Sequence, residues 1–169
     1  HCTSSAASDV YKRQEDHGFV YVVPDMVSHS LDRDIIRPPG VVFRYSNEDS
    51  MLLGEIIQNA TGMSFQEYAD KKLFNLLDVN ETWWTDQEGN TISYASIDMT
   101  PREFAKFGLM IAQEGSWQGQ QIVSSDWVEL ATSKYDDLMS YGFQWWTSET
   151  GEIDYPFFSA RGLDGQLIY

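Results

Sequence analysis

The sequence predicts an α+β fold, in which a helical block comes first and antiparallel strands follow. Apolar residues recur with a helical period over residues 25–132, whereas residues 141–169 contain aromatic, β-prone segments between glycines. Of the 169 residues, 42% are hydrophobic and 22% are charged, which is typical of a globular protein with a core. Helices followed by strands argue against a doubly wound parallel sheet, in which the two alternate.

The charge balance excludes several kinds of partner. The chain has 26 acidic and 11 basic residues, a net charge of −15, whereas nucleic acids and anionic membrane surfaces attract basic faces. No apolar stretch reaches the about 20 residues of a membrane-spanning helix. One cysteine allows no internal disulfide, and with three histidines it forms no zinc pattern. We therefore expect no nucleic acid, membrane span or metal.

The two ends of the chain indicate a piece of a longer protein. Residues 1–14 are small and polar without periodicity, so we predict a linker artefact or a disordered tail there. Residues 15–169 then form a partial domain that is truncated at both ends. No signal peptide is visible, and the sequence leaves the compartment open between the bacterial periplasm, export and the cytoplasm.

Two helices are predicted in the first third of the chain. Residues 25–33 have an apolar side, and residues 47–60 place apolar side chains on one helical face. Gly62 follows at a position where a left-handed residue ends a helix. The Arg-Pro-Pro-Gly run at 37–40 separates the two helices.

A capping box formed by Ser64 and Glu67 predicts a third helix. This helix carries the apolar residues Phe65, Tyr68, Ala69, Leu73 and Leu76, among others. Residues 78–90, which include Trp83 and Trp84, are predicted to be a loop.

A second capping box, formed by Thr100 and Glu103 with proline between them, predicts a helix that ends at Gly115. Its buried stripe is predicted to consist of Phe104, Phe107, Gly108 and Ile111. Residues 116–121 are predicted to be a turn, and a short helix follows over residues 125–132.

Three segments predict strands after this helical block. They are residues 141–147, 155–160 and 166–169, which are aromatic or apolar. Glycines at 142, 151, 162 and 165 punctuate them. Short segments separated by glycine-containing turns predict antiparallel pairing.

Residues 39–47 contain the most informative candidates for catalysis. Tyr45 lies on a turn just before a helix, where a phenol can face a cleft, and Asn47 offers an amide that can hold a carbonyl or a lysine. A phenol has a pKa near 10, so Tyr45 needs neighbouring cations to act as a base near neutral pH. The structural alternative makes Ser46 or Asn47 a helix N-cap and Tyr45 a half-buried anchor.

The order and spacing of several motifs resemble one enzyme family. Residues 39–47 read P-G-x-x-F-x-Y-S-N, followed by L-L-G-x-I-I-x-x-x-T-G-x-S-F-x-E-Y and L-F-x-x-L. Together with residues 99–108, 117–128 and 141–146, they resemble the serine hydrolases of the class C β-lactamase and penicillin-binding-protein-like family, which includes family VIII esterases and nylon-oligomer hydrolases. The resemblance covers residues 18–169. It implies a fragment of the serine β-lactamase (transpeptidase-like) fold, an antiparallel sheet flanked by helices with a helical lobe.

The first two catalytic elements of that family are S-x-x-K and Y-x-N. This chain has no S-x-x-K, because no serine stands three residues before a lysine. The resemblance places that motif upstream of Tyr45, so we expect it to precede this chain, and we expect the chain alone to be inactive. Tyr45-Ser46-Asn47 matches Y-x-N. By resemblance, Tyr45 is the general base beside the missing lysine, and Asn47 orients that lysine and the substrate.

The third element is K-T-G on an edge strand of the sheet, and its match here is Ala160-Arg161-Gly162. By resemblance, Gly162 lets the substrate approach the strand closely, and the N–H of Leu163 is an oxyanion donor. The lysine and threonine that help to hold a β-lactam carboxylate are absent, which favours an esterase or amidase. Arg161 either replaces the lysine charge or is a surface arginine on an edge strand.

The resemblance implies a serine hydrolase that forms an acyl-enzyme on small ester or amide substrates, β-lactams included, without a metal or organic cofactor. The main alternative is a non-catalytic binding or sensor module for peptidoglycan or related ligands. A weaker alternative is an aromatic-rich carbohydrate-binding domain. Trp83, Trp84, Trp145 and Trp146 either line an acyl or aryl pocket or, as is more common, pack in the core and its rim. The oligomeric state stays open.

Overall fold

The computed structural model describes residues 23–34, 38, 40–135, 140–148, 157–162 and 165–169. The chain divides into two compact units. The first unit consists of His1–Asn75 and Asn80–Met99, and the second unit consists of Leu76–Val79 and Thr100–Tyr169. Helices combined with small antiparallel sheets confirm the predicted α+β class. The predicted tail at residues 1–14 lies outside the described residues.

Two helices lie at the start of the described part of the first unit, and they pack against each other. Helix α1 spans Met26–Leu31, and helix α2 spans Asn47–Thr61. The Asp25 carboxylate accepts a hydrogen bond from Ser28 N at 3.0 Å and so caps α1. Gly62 ends α2 with φ 69°, a left-handed conformation that glycine adopts at little cost. Both helices confirm the prediction, because caps and apolar spacing are local signals.

The third predicted helix contains a π-helical turn. Helix α3 spans Phe65–Ala69, the π turn spans Asp70–Phe74, and helix α4 spans Asn75–Leu77. The predicted capping box is confirmed: Ser64 Oγ accepts a hydrogen bond from Glu67 N, and the Glu67 carboxylate accepts one from Ser64 N at 2.8 Å. The helix therefore begins where the sequence predicted, and it differs from the predicted regular α-helix only from Asp70 onward.

The π turn affects which apolar side chains of this helix are buried. A π turn holds one more residue than an α turn, so it rotates the side chains that follow it. Phe74 and Leu77 are buried. By contrast, Leu73 is half-buried, and Leu76 is 41% exposed.

The stretch predicted as a loop contains a strand. Strand β1 spans Thr82–Trp83 and pairs antiparallel with strand β2, which spans Ile97–Asp98. Between them, the buried Asp86 carboxylate accepts hydrogen bonds from Met26 N at 3.0 Å and from Asn90 N at 2.9 Å. Asp86 thus ties the start of α1 to this hairpin. The sequence missed β1 because its partner lies far along the chain.

The first long element of the second unit is helix α5, which spans Pro101–Ala112. It begins at the predicted capping box, with Thr100 Oγ1 accepting a hydrogen bond from Glu103 N at 3.3 Å. Ile111 is buried as predicted, and Met110, which the prediction left out, is fully buried. The other members of the predicted stripe are half-buried: Phe104, Phe107 and Gly108.

A tight hairpin follows α5 where the sequence predicted a turn. Strand β3 spans Ser116–Trp117 and pairs antiparallel with strand β4, which spans Gln120–Gln121. Gly115 precedes the hairpin with φ 81°. A Cβ on this residue would lie 2.1 Å from Val123 O, so only glycine fits.

The second unit ends in a three-stranded antiparallel sheet. Helix α6 precedes it and spans Ser125–Thr132, as predicted. Strand β5 spans Trp146–Thr147, strand β6 spans Phe158–Arg161 and strand β7 spans Leu167–Ile168, in the order β5-β6-β7. The antiparallel pairing is confirmed. Strand β6 has a partner on each side, so the expected edge position is wrong for the described sheet.

The aromatic segment over residues 141–147 is mostly a turn, not the strand that was predicted. Gln144 has φ 68°, which interrupts an extended conformation. Gly142 N donates a hydrogen bond to Trp145 O at 2.8 Å. A Cβ on Gly142 would lie 2.2 Å from Ala131 O, so the backbone approach requires glycine. Only the last two residues of the segment pair with β6 as a strand.

Candidate active site

Tyr45 lies on the turn directly before α2, as the sequence predicted. Ser46 is the N-cap of the helix: its Oγ accepts a hydrogen bond from Asp49 N at 3.1 Å, and the residue is buried. Tyr45 is 40% exposed. The N-cap interpretation of Ser46 is therefore confirmed, and it leaves the neighbouring phenol partly open to solvent.

The phenol of Tyr45 is protonated at neutral pH. Burial raises the pKa of Tyr45 above its ordinary value of 10.0. A general base must be unprotonated when it accepts a proton. Tyr45 therefore needs a neighbouring positive charge before it can serve as a base near neutral pH.

Side chains around the first turn of α2 fix the backbone next to Tyr45. Arg33 Nη2 donates a hydrogen bond to Glu48 Oε1 at 2.8 Å, and both side chains are about four-fifths buried. Glu48 and Asp49 lie in the first turn, where carboxylates interact favourably with the helix dipole. Asn47 is the first residue of α2, two positions after Tyr45 in the sequence, and is half-buried.

Arg161 is the last residue of β6, and its side chain contacts Ser159 and Trp146. Arg161 Nε donates a hydrogen bond to Ser159 Oγ at 2.8 Å, and Ser159 is fully buried. The guanidinium carbon lies 5.8 Å from the centroid of the Trp146 ring, within the range of a cation–π contact. The side chain is therefore anchored at its base, while the residue as a whole is exposed.

Gly162 belongs to the turn between β6 and β7. Its N–H donates a hydrogen bond to Gln166 O at 2.8 Å, and its carbonyl accepts one from Gly165 N at 3.2 Å. A Cβ on Gly162 would lie 2.4 Å from Gln166 Oε1, the far end of a flexible side chain. The N–H of Gly162 is thus used within the turn. Leu163, the predicted oxyanion donor, lies outside the described residues.

The tryptophans divide between packing and surface positions. Trp145 is buried, and its ring stacks on Phe107 with centroids 6.2 Å apart and an interplanar angle of 12°. The half-buried Trp83 meets Phe65 edge-on at 5.3 Å. Trp84 is 44% exposed. Packing therefore accounts for Trp83, as the more common of the two interpretations predicts. Trp145 packs on Phe107 and also lines a small cavity.

Sequence reasoning missed a pair of carboxyl groups in the first unit. Glu81 lies just before β1, and Asp70 begins the π turn. Burial of Glu81, followed by its hydrogen bond to Asp70 and the Asp70 charge, raises the pKa of Glu81 from 4.5 to about 7. No local sequence motif predicts this pair, because the two residues come together only when the segment before β1 packs near the π turn.

Neither a metal site nor a membrane helix occurs in the part of the chain that the structure describes. No group of three or more His, Cys, Asp or Glu side chains there is arranged to hold a metal ion. The helices in those ranges are too short or too polar to cross a bilayer.

A Tyr-x-Asn turn at the start of a capped helix, followed by helices and an antiparallel sheet, defines the class of α+β proteins with the serine β-lactamase and penicillin-binding fold. The Beta-lactamase family model matches residues 5–168, almost the whole chain. The chain belongs to the beta-lactamase family.

Two of the proteins that this chain is similar to are named as hydrolases. The 6-aminohexanoate-dimer hydrolase of Paenarthrobacter ureafaciens is 27% identical over 144 residues, which cover 75% of this chain and 36% of that protein. A solved structure assigned as a 6-aminohexanoate-dimer hydrolase of Bacillus anthracis has 25% identity and a TM-score of 0.76, covering 85% of this chain and 39% of the other. The penicillin-binding protein of Bacillus halodurans, at 17% identity, a TM-score of 0.61 and coverages of 98% and 63%, shares the fold. The chain thus spans little more than a third of the first two relatives.

Proposed function

We propose that the whole protein is a serine hydrolase that forms an acyl-enzyme on small ester or amide substrates, with Tyr45 as its general base. The observation that carries this proposal is the turn before α2, where the buried cap Ser46 leaves Tyr45 partly exposed next to Asn47. Membership of the beta-lactamase family and hydrolases among the relatives support the reaction class.

The proposed nucleophile is a serine in the part of the protein that this chain does not span. Its oxygen attacks the substrate carbonyl carbon, and its proton passes to the Tyr45 phenolate. The bond between that carbon and the leaving oxygen or nitrogen then breaks, and Tyr45 returns the proton to the leaving group. Water next attacks the acyl-serine ester and gives a proton to Tyr45. The acid product leaves, and the serine recovers its proton.

The proposal requires a cation beside Tyr45. Burial alone raises the pKa of this phenol, whereas a positive charge within about 4–6 Å lowers a pKa by about one to three units. This chain has no S-x-x-K motif, so the proposed cation is a lysine elsewhere in the protein. The Asn47 amide oxygen is the group that would accept a hydrogen bond from that lysine.

By resemblance to the family, we also propose Arg161 and Leu163 as substrate-binding residues. Arg161 Nε is engaged with Ser159, which leaves the terminal guanidinium nitrogens to bind a substrate carboxylate. The N–H of Leu163, next to the Gly162 turn, is the proposed oxyanion donor. A linear amide or ester with a free carboxylate suits an arginine at this position, and the named substrate of the relatives supports that class.

The test is to recover the coding sequence upstream of residue 15, express the complete protein and treat it with a fluorophosphonate probe that labels reactive serines. We expect labelling, together with hydrolysis of a nitrophenyl ester or the 6-aminohexanoate linear dimer. Tyr45→Phe should lower kcat/KM by about 10²- to 10⁴-fold, the usual contribution of a general base. Tyr135→Phe is the matched control at an exposed tyrosine and should change little.

Two results would overturn the proposal. Full activity in Tyr45→Phe would remove Tyr45 from the mechanism. A complete protein that has no S-x-x-K motif, no labelling and no turnover would instead support the binding or sensor module for peptidoglycan.

A further inference from the structure

A cavity of about 160 Å³ lies between α5 and α6 in the second unit. Its walls come from both helices and from the segment that contains Trp145. Phe107 and Met110 contribute from α5, and Trp127 and Ala131 contribute from α6. Met110 is fully buried, whereas Trp127 is 51% exposed, so the cavity has a deep end and a side that reaches solvent.

No charged side chain lines this cavity among the described residues. The polar side-chain groups in its walls are the indole N–H groups of Trp127 and Trp145 and the hydroxyl of Thr132. The Thr132 hydroxyl already donates a hydrogen bond to Val128 O at 2.7 Å, within α6. The Ala131 carbonyl accepts a hydrogen bond from Phe143 N at 2.9 Å. An anionic ligand would therefore lose its hydration without an ion-pair partner, which excludes that class of occupant.

Aromatic rings shape the cavity and limit its flexibility. The Phe107 and Trp145 rings stack nearly parallel, with centroids 6.2 Å apart. Trp127 rests on Phe143 with centroids 5.6 Å apart and an interplanar angle of 23°. Each ring is thus supported by a second ring, which keeps the walls apart. An enclosed apolar cavity of roughly 150 Å³ accepts a benzene molecule, so the volume of this cavity suits a single six-membered ring.

We propose that this cavity is a binding site for a small, neutral aromatic molecule with a single ring. The size of the cavity matches one six-membered ring, the walls provide aromatic and aliphatic contacts, and none of the described side chains that line it is charged. Binding to the folded state alone would raise the stability of the second unit.

The test uses the 169-residue chain with toluene as the probe. At ten times its Kd, toluene should raise the thermal midpoint by about 3–6 °C. Ala131→Leu adds carbon atoms inside the cavity and should remove this shift. Ala105→Leu adds the same atoms on the exposed face of α5 and should keep it. No shift in the unmodified chain, or equal loss in both variants, would overturn the proposal.

A second measurement does not depend on either variant folding. With ¹³C-labelled methionine methyl groups, toluene should give a nuclear Overhauser effect to Met110, which lines the cavity. Met51 is equally buried in the first unit and serves as the internal control. An effect on Met110 but not on Met51 supports the site. Effects on both residues, or on neither, contradict it.

Discussion

The turn that carries Tyr45 and the sheet that carries Arg161 are held in place by different kinds of interaction. At the turn, polar side chains fix the backbone: Ser46 caps α2, and Arg33 binds Glu48 at 2.8 Å. These contacts satisfy helix ends and charges, and they involve residues that are close along the chain.

In the sheet region, residues are held in place by close contacts between backbone segments and by the register of the paired strands. Gly142 packs so tightly that a Cβ would lie 2.2 Å from Ala131 O and 2.5 Å from Ser133 O. Arg161 owes its position to the pairing of β6 with Leu167 in β7. The comparison teaches that Tyr45 is positioned by local chemistry, whereas Arg161 is positioned by packing between distant segments.

The largest expected effect tests the packing of the sheet region. Gly142→Ala forces a methyl group into two backbone carbonyls, which cannot move independently, and should lower the free energy of unfolding by about 3 kcal/mol or more. Gly119→Ala is the control: its φ is 82° but its surroundings are open, so it should cost about 1 kcal/mol. Urea unfolding measures both. Equal effects would show that the close approach of the two carbonyl oxygens to Gly142 adds no cost.

The next effect tests the caps that hold the Tyr45 turn. Ser46→Ala removes the acceptor of Asp49 N at a buried position and should cost about 1–2 kcal/mol. Ser124→Ala removes the exposed cap of α6, whose hydrogen bond from Trp127 N is longer, at 3.3 Å, and should cost about 0.5 kcal/mol. If the two variants lose equal stability in urea, the buried cap has no special role.

A third expected effect is a pH dependence within the first unit. The folded state raises the pKa of Glu81 from 4.5 to about 7, so it binds more protons than the unfolded state between these values. The resulting contribution to stability is fully present below pH about 4.5 and is lost as the pH rises to about 7. Glu81→Gln should remove this slope from urea midpoints measured across that range. An unchanged slope would contradict the assignment.

The helices could be predicted from the sequence because their signals are local. The structure has both predicted capping boxes, at Ser64 and Thr100, and the predicted left-handed residue, Gly62, at the end of α2. The π turn could not be predicted, because the spacing of apolar residues does not show that one helical turn holds an additional residue. In the structure, Phe74 and Leu77 are buried, whereas Leu76 is 41% exposed.

Contacts between distant segments account for the remaining differences. The β1–β2 hairpin, the Asp70 and Glu81 pair and the cavity beside Trp145 each require elements that the sequence does not place together. The Tyr45 turn was predictable as a capped helix start. The anchoring of Arg161 on Ser159 was not, because it depends on which face of β6 each side chain occupies.

The most direct test of the proposed role of Tyr45 is a measurement of its pKa. The titration is monitored by NMR with tyrosine labelled at ¹³Cζ, and the Tyr45 resonance is identified as the one that is missing in Tyr45→Phe. In this chain alone, Tyr45 should titrate above 10, because burial disfavours the phenolate. In the complete protein, the proposed lysine should bring the pKa about one to three units lower than in the chain alone. A pKa of Tyr45 that is the same in the complete protein and in the chain alone would contradict the assignment of Tyr45 as the general base.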